Sequence, residues 1–187
     1  VQSVWRHVPG LASLVSRLTG FTTKRSLPKW HSNAFRNDEI GSAPTGAGTP
    51  VVLFADTFNR YFEPGNLRAA IRVLRAAGYD VFAPTPAAGR PYCCGRTYLS
   101  AGMVDKARAE AERLVAALYP LARSGGRIVG LEPSCVFTIK DELPSLLPGP
   151  QAQKLADHVQ LLEEYLIMEN DAGRLSLKFR TSEPEKV

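Results

Sequence analysis

The apolar pattern of the chain changes character near residue 50. Before it, Val4, Val8, Leu11, Leu14, Val15 and Leu18 recur at helical spacing, with Pro9-Gly10 breaking the run. "TTKRSLPKWHSNAF" and "GSAPTGAGTP" follow, and the second is dense in Gly, Pro, Ser and Thr, the composition of a linker. Residues 1–49 are therefore expected to form a helix, an extended arm and a linker. From residue 50 to 187, short apolar runs alternate with long amphipathic segments, and one α/β domain is expected.

Within that domain "VVLF" (51–54) is wholly apolar and branched, as a strand buried on both faces must be. "PGNLRAAIRVLRAAG" predicts a helix with Asn66 as its N-cap, one face made by Leu67, Ala70, Ile71 and Leu74, and Gly78 ending it. "YDVFAP" predicts a second strand. "GMVDKARAEAERLVAALYPLA" predicts a long helix with Met103, Ala107, Leu114, Leu118 and Leu121 turned inward, and "RIVGL" a third strand. A short helix over "CVFTIKDEL", one longer helix over "PQAQKLADHVQLLEEYLIME" and a strand or an edge segment at "LSLKF" (175–179) complete the reading. Strands alternating with helices specify a three-layer α/β/α fold with a short, mainly parallel sheet, preceded by an N-terminal helical arm.

In such a sheet, ligands gather at the carboxyl ends of the strands. Three segments fall there: "ADTFNRYFEP" after the first strand, "GRPYCCGRTYLSAG" after the second, and "EPSC" after the third. They carry all three cysteines, Cys93, Cys94 and Cys135, together with Asp56, Arg96 and Glu132. Asp56, Glu132 and Asp141 could be catalytic carboxylates or merely caps and surface charges. Arg96 could stabilise a thiolate or a bound anion. Phe58, Tyr92 and Tyr98 read as packing around the site.

Composition narrows the chemistry. The net charge of +5 is spread over helix faces and the arm with no aromatic-interleaved stripe, so nucleic acid is not an expected partner. An odd number of cysteines argues against a secreted disulfide framework. No apolar run reaches the roughly 18 residues of a membrane span, and no glycine-rich phosphate motif follows a strand. For the thiols, four readings stay open: buried small hydrophobes, a strained Cys93–Cys94 disulfide, zinc, or iron–sulfur ligands. Zinc is the poorest of the metal readings, because His7, His31 and His158 lie in the arm and a helix, away from the strand-end loops.

"CCGRTYLSAGMVDKA" followed by "IVGLEPSCVFTIKDELP" resembles the cysteine-rich CCG family. That family includes the heterodisulfide reductase B subunit, iron–sulfur subunits of glycolate and lactate oxidation systems, and the C subunit of anaerobic glycerol-3-phosphate dehydrogenase. The likeness runs from about residue 51 to 148. It is nearest to the C-terminal half of FAD-linked D-lactate and D-2-hydroxyglutarate dehydrogenases. The family pattern is one cysteine, a Cys-Cys pair, then Cys-x-x-Cys. Cys93, Cys94 and Cys135 match three of the five positions. Asp56 or Thr57 stands at the first, and Thr138 at the last.

The resemblance implies the first unit of a tandem pair in a flavin-linked iron–sulfur oxidoreductase acting on a D-2-hydroxy acid. It implies an iron–sulfur cluster held by Cys93, Cys94 and Cys135, with a ligand set left incomplete in this unit and with Asp56, Thr57, Arg96, Glu132 and Thr138 in support. FAD would sit in the parent protein rather than here. The expected partners are a second CCG unit and upstream flavin and ferredoxin-like domains, with the electron acceptor unassigned. The expected location is cytoplasmic, peripheral at the inner membrane. The alternatives are a docking module with vestigial cysteines, or a thiol–disulfide site at Cys93–Cys94. The chain opens without an initiator methionine and closes on "SEPEKV", so it is expected to be a piece of a longer polypeptide, inactive when isolated.

Overall fold

The computed structural model describes residues 11–20, 22, 28–86 and 89–177. The chain divides into two compact units, residues 1–30 and 31–187. In the first, helix α1 spans Leu11–Thr19. The part of the expected N-terminal helix before Leu11 lies outside the described residues, as does His7.

The second unit is built on four parallel strands: β1 (Thr49–Phe54), β2 (Tyr79–Phe82), β3 (Arg127–Gly130) and β4 (Val159–Leu161), in the order β2-β1-β3-β4. Between β1 and β2 lie α2 (Thr57–Tyr61) and α3 (Pro64–Ala76), and between β2 and β3 lie α4 (Arg96–Ser100) and α5 (Val104–Arg123). Helices α6 (Pro133–Phe137), α7 (Leu143–Leu146) and α8 (Pro150–Ala156) join β3 to β4, with a π-turn at Thr138–Glu142, and α9 (Leu162–Asp171) follows.

The two-residue period of β1 explains why "VVLF" has no polar side. Val51 and Leu53 face one helical layer, where they meet Leu67, Ile71 and Leu74 of α3 and Tyr165 of α9. Val52 and Phe54 face the other, against Leu114 and Leu118 of α5, Cys135 and Val136 of α6, and Leu155 of α8. Register keeps like faces together: Val51 pairs with Val81, Val52 with Ile128, and Leu53 with Val129. Each fully buried Val or Leu contributes about 1.5–3 kcal/mol, so both layers are held independently of any ligand. The fold is thus the α/β/α sandwich with a parallel sheet.

Four local expectations are corrected. The stretch over residues 150–169 is not one helix: α8 ends at Ala156, and Val159–Leu161 becomes the fourth strand, Ile128 pairing with Val159. Its apolar spacing is helical, but the free backbone edge of β3 offers hydrogen bonds that a continuing helix could not. Of the two readings of 175–179, a strand does not form over Leu175–Leu177, whose leucines pack on the α3 layer instead; residues 178 and 179 lie outside the described residues. Helix α3 opens with Pro64 after Glu63, not at Asn66, whose amide donates to Asn59 Oδ1 at 3.0 Å. Met103 does not face inward; it stands at the start of α5 and is 46% exposed.

The segment 31–49, read as arm and linker, packs closely on this unit. Phe35 and Ile40 are buried in the α3 layer, Phe35 N–H donates to Arg60 O, and Asp80 accepts from Thr45 and Gly46 backbone amides at 2.6 and 2.8 Å. Among the described residues, no helix is long and apolar enough to cross a membrane.

Candidate functional site

The chain leaves β1 toward β2 on one side and leaves β3 toward β4 on the other. The carboxyl ends of β1 and β3 therefore flank a topological switch point, where open parallel sheets bind ligands. The cysteines lie at this edge. Cys94 Sγ donates to Cys135 Sγ at 3.1 Å, across 41 residues of sequence, and each of the two residues is only 3% exposed. Cys93 is partly exposed, hydrogen-bonds to Cys94, and accepts from its own loop at Gly95 N–H, 3.4 Å away. The result is a row of three sulfurs that opens to solvent only at Cys93.

Cys93 and Cys94 are protonated at neutral pH. The bond to Cys94, followed by burial, holds the Cys93 thiol well above its ordinary value. The bond to Cys135 foremost, with burial after it, pushes Cys94 up to about 12 against the opposing bond from Cys93. All three thiols are free in this structure.

The two residues standing at the remaining family positions are employed structurally. Asp56 caps α2: Oδ1 accepts Asn59 N–H at 2.9 Å and Oδ2 accepts Asn59 Nδ2 at 2.8 Å. It is 1% exposed, and burial, despite these donors and reinforced by the Glu132 carboxylate, raises its pKa. Thr57, next in sequence, hydrogen-bonds Cys93 through its side chain. Thr138 is 1% exposed and its hydroxyl donates to Ser134 O at 2.7 Å, at the head of the π-turn.

Two other expectations resolve differently. Glu132 caps α6, accepting from Ser134 N–H at 3.3 Å and from Ser134 Oγ at 2.7 Å. The Arg96 guanidinium turns away from the thiols to Glu142, 2.5 Å away, while its backbone N–H reaches Cys94. His158 hydrogen-bonds Lys154 O, and its own carbonyl accepts Ile128 N–H at the opposite end of β3 from the thiols.

What seats the cysteine loop was not read from the sequence. Glu110, 3% exposed on α5, forms an ion pair with Arg90 and accepts from Arg113 at 2.7 Å. Arg113 also donates to Arg90 O at 2.9 Å and lies over the Tyr92 ring. A carboxylate on the inward stripe of α5, beside Ala107, Ala111 and Leu114, is the signal that would have revealed it, because a buried charge requires a partner. Arg60 was missed as well. It is 6% exposed and donates to Phe35 O and Asn37 Oδ1, tying residues 31–40 to α2 at the same edge.

Three thiols do not complete a four-thiolate cluster. Two thiolates sharing one tetrahedral metal at about 2.3 Å would stand roughly 3.8 Å apart, and ligands on separate irons farther still. The 3.1 Å contact of Cys94 and Cys135 is too close for either. Among the described residues, no group of three His, Cys, Asp or Glu is placed to hold a metal ion. As arranged, the site does not fit a cluster within this chain alone.

No family model and no solved structure matches the chain. It is 27% identical over 154 residues to the C subunit of the anaerobic glycerol-3-phosphate dehydrogenase of Escherichia coli strain K12, and equally to the protein of that name from Escherichia coli O157:H7. The aligned part is 81% of this chain and 38% of each relative, so the chain spans less than two fifths of the curated proteins to which it is similar.

Proposed function

We propose that this chain is one unit of a flavin-linked electron-transfer oxidoreductase that dehydrogenates a small secondary alcohol, and that the alcohol is a D-2-hydroxy acid. The observation that carries the reading is the row of thiols at the switch point, in a chain similar to a dehydrogenase subunit over most of its length. The general chemistry rests on that likeness. The D-2-hydroxy acid rests on the sequence resemblance alone. In this reading the flavin belongs to another domain or subunit of the enzyme and accepts the hydride. The present unit lines the onward electron-transfer site, and a cluster there would need ligands from a partner unit. The unit would work at the cytoplasmic face, peripheral to the inner membrane.

The chain's own residues hold the edge in place. Glu110 and Arg113 seat the loop that carries Cys93 and Cys94. Asp56 and Glu132 cap the helices that carry Thr57 and Cys135. A second reading is favoured by one observation: Asp56 and Thr138, at two of the family's cysteine positions, are committed to a cap and a back-bond. The unit would then be a docking module with a degenerate site.

The test uses the full-length protein under anaerobic conditions. D- and L-lactate, D- and L-2-hydroxyglutarate and glycerol 3-phosphate are added in turn, and bleaching of the flavin absorbance is followed. Bleaching by a D-2-hydroxy acid, and not by its L-enantiomer, is the expected result. Bleaching by glycerol 3-phosphate alone would move the substrate to the one in the relatives' name, and absence of flavin from the protein and from every subunit that copurifies with it would end the oxidoreductase reading.

A further inference from the structure

We infer that Cys94 and Cys135 are the disulfide-forming pair of this site, with Cys93 as the entry thiol through which oxidising equivalents reach them. The three sulfurs form a file in which only the first is accessible. Cys94 and Cys135 already touch at 3.1 Å, so bonding at about 2.05 Å needs an approach of only about 1 Å. They come from different elements, the loop after β2 and helix α6, so the bond can close without distorting a peptide unit. A disulfide between the adjacent residues Cys93 and Cys94 must distort the peptide between them, and strained disulfides are the more oxidising ones. A vicinal bond, once formed, therefore passes downhill to Cys135.

The oxidant is a low-molecular-weight disulfide, which the partly exposed Cys93 can reach. Cys93 Sγ gives up its proton as it attacks the external disulfide, forms a mixed disulfide and releases one small thiol, the proton passing to the departing sulfur. Cys94 attacks the Cys93 sulfur, releases the second small thiol and forms the vicinal bond. Cys135 attacks the Cys94 sulfur, and Cys93 leaves as a free thiol. Overall, Cys94 and Cys135 lose two protons and two electrons, and one external disulfide becomes two thiols. Oxidation would seal two of the three sulfurs against any metal. This inference rests on the thiols alone and is independent of the substrate reading above.

The test uses the reduced 187-residue chain, incubated with oxidised glutathione, quenched with N-ethylmaleimide and analysed by intact mass and by tandem mass spectrometry of proteolytic peptides. The expected product is about 2 Da lighter than the reduced chain before labelling, carries one maleimide on Cys93, and links Cys94 to Cys135. A final product linked Cys93–Cys94 or Cys93–Cys135, or a chain that takes up three maleimides, would overturn the pairing. Cys93→Ser should keep the Cys94–Cys135 link and form it at least tenfold more slowly. If that variant oxidises as fast as the parent chain, Cys93 is not the entry.

Discussion

Gly95 connects the thiol row to the body of the domain, and replacing it with alanine makes a quantitative test. The residue follows Cys94 and sits at φ +83°, where an L side chain is strained by roughly 1–2 kcal/mol. Stiffening the unfolded chain returns about 0.4–1 kcal/mol of that. A Cβ there would also stand 3.2 Å from Ala107 O and 3.4 Å from Ala107 Cα, backbone atoms of a fully buried residue within the hydrogen-bonded helix α5. Overpacking of this kind adds about 1–3 kcal/mol. Gly102 supplies the control: its φ is +71°, but a Cβ there meets nothing within 4 Å. Gly102→Ala should therefore cost about 1 kcal/mol, and Gly95→Ala about 2–4 kcal/mol, in urea unfolding followed by circular dichroism. Gly95→Ala should also speed maleimide labelling of native Cys94 by tenfold or more, because the loop must lift from α5 to relieve the contact. Equal stabilities for the two variants would show that Gly95 is there only for its backbone angle, and that α5 does not press the thiols into place.

Asp56 predicts a pH dependence. Its pKa is raised in the fold, so the stability it contributes is complete below the unfolded value of 3.8 and is lost as the pH climbs through the folded value. The stability difference between the parent chain and Asp56→Asn should accordingly shift against the parent as pH rises above 3.8; a difference that stays constant, or shifts toward the parent, contradicts a buried, raised carboxylate. A second variant concerns the two missing thiols. Thr57 touches Cys93 whereas Asp56 is committed to its cap, so Thr57→Cys combined with Thr138→Cys is the restoration to make. Anaerobic reconstitution with ferrous iron and sulfide should give this variant stoichiometric iron and a broad visible absorption that the parent chain lacks. Iron uptake no greater than that of the parent chain would mean that the edge is not a cluster site with two ligands missing.

The alternation of wholly apolar runs with amphipathic segments was sufficient to specify the parallel sheet and its two helical layers. Strands such as Val51–Phe54 have no polar face to offer water, and segments such as Leu67–Leu74 have one stripe to bury, so local composition leaves few other arrangements. The same logic put the cysteine-bearing segments after β2 and β3. Sequence could not settle Val159–Leu161, whose apolar spacing suits a helix as well as a strand; the open edge of β3 decided it. It could not separate Asp56 from Thr57 at the missing-cysteine position, because only the turn geometry sends one to a helix cap and the other to Cys93. Nor could it say which thiols meet. Cys93 and Cys94 are neighbours in the chain and hydrogen-bond each other, but only the two crossover connections bring Cys94 and Cys135 into contact over 41 residues. Pairing at that range depends on the packing of α5 and α6 against a common sheet, a property of the whole fold that no local pattern contains.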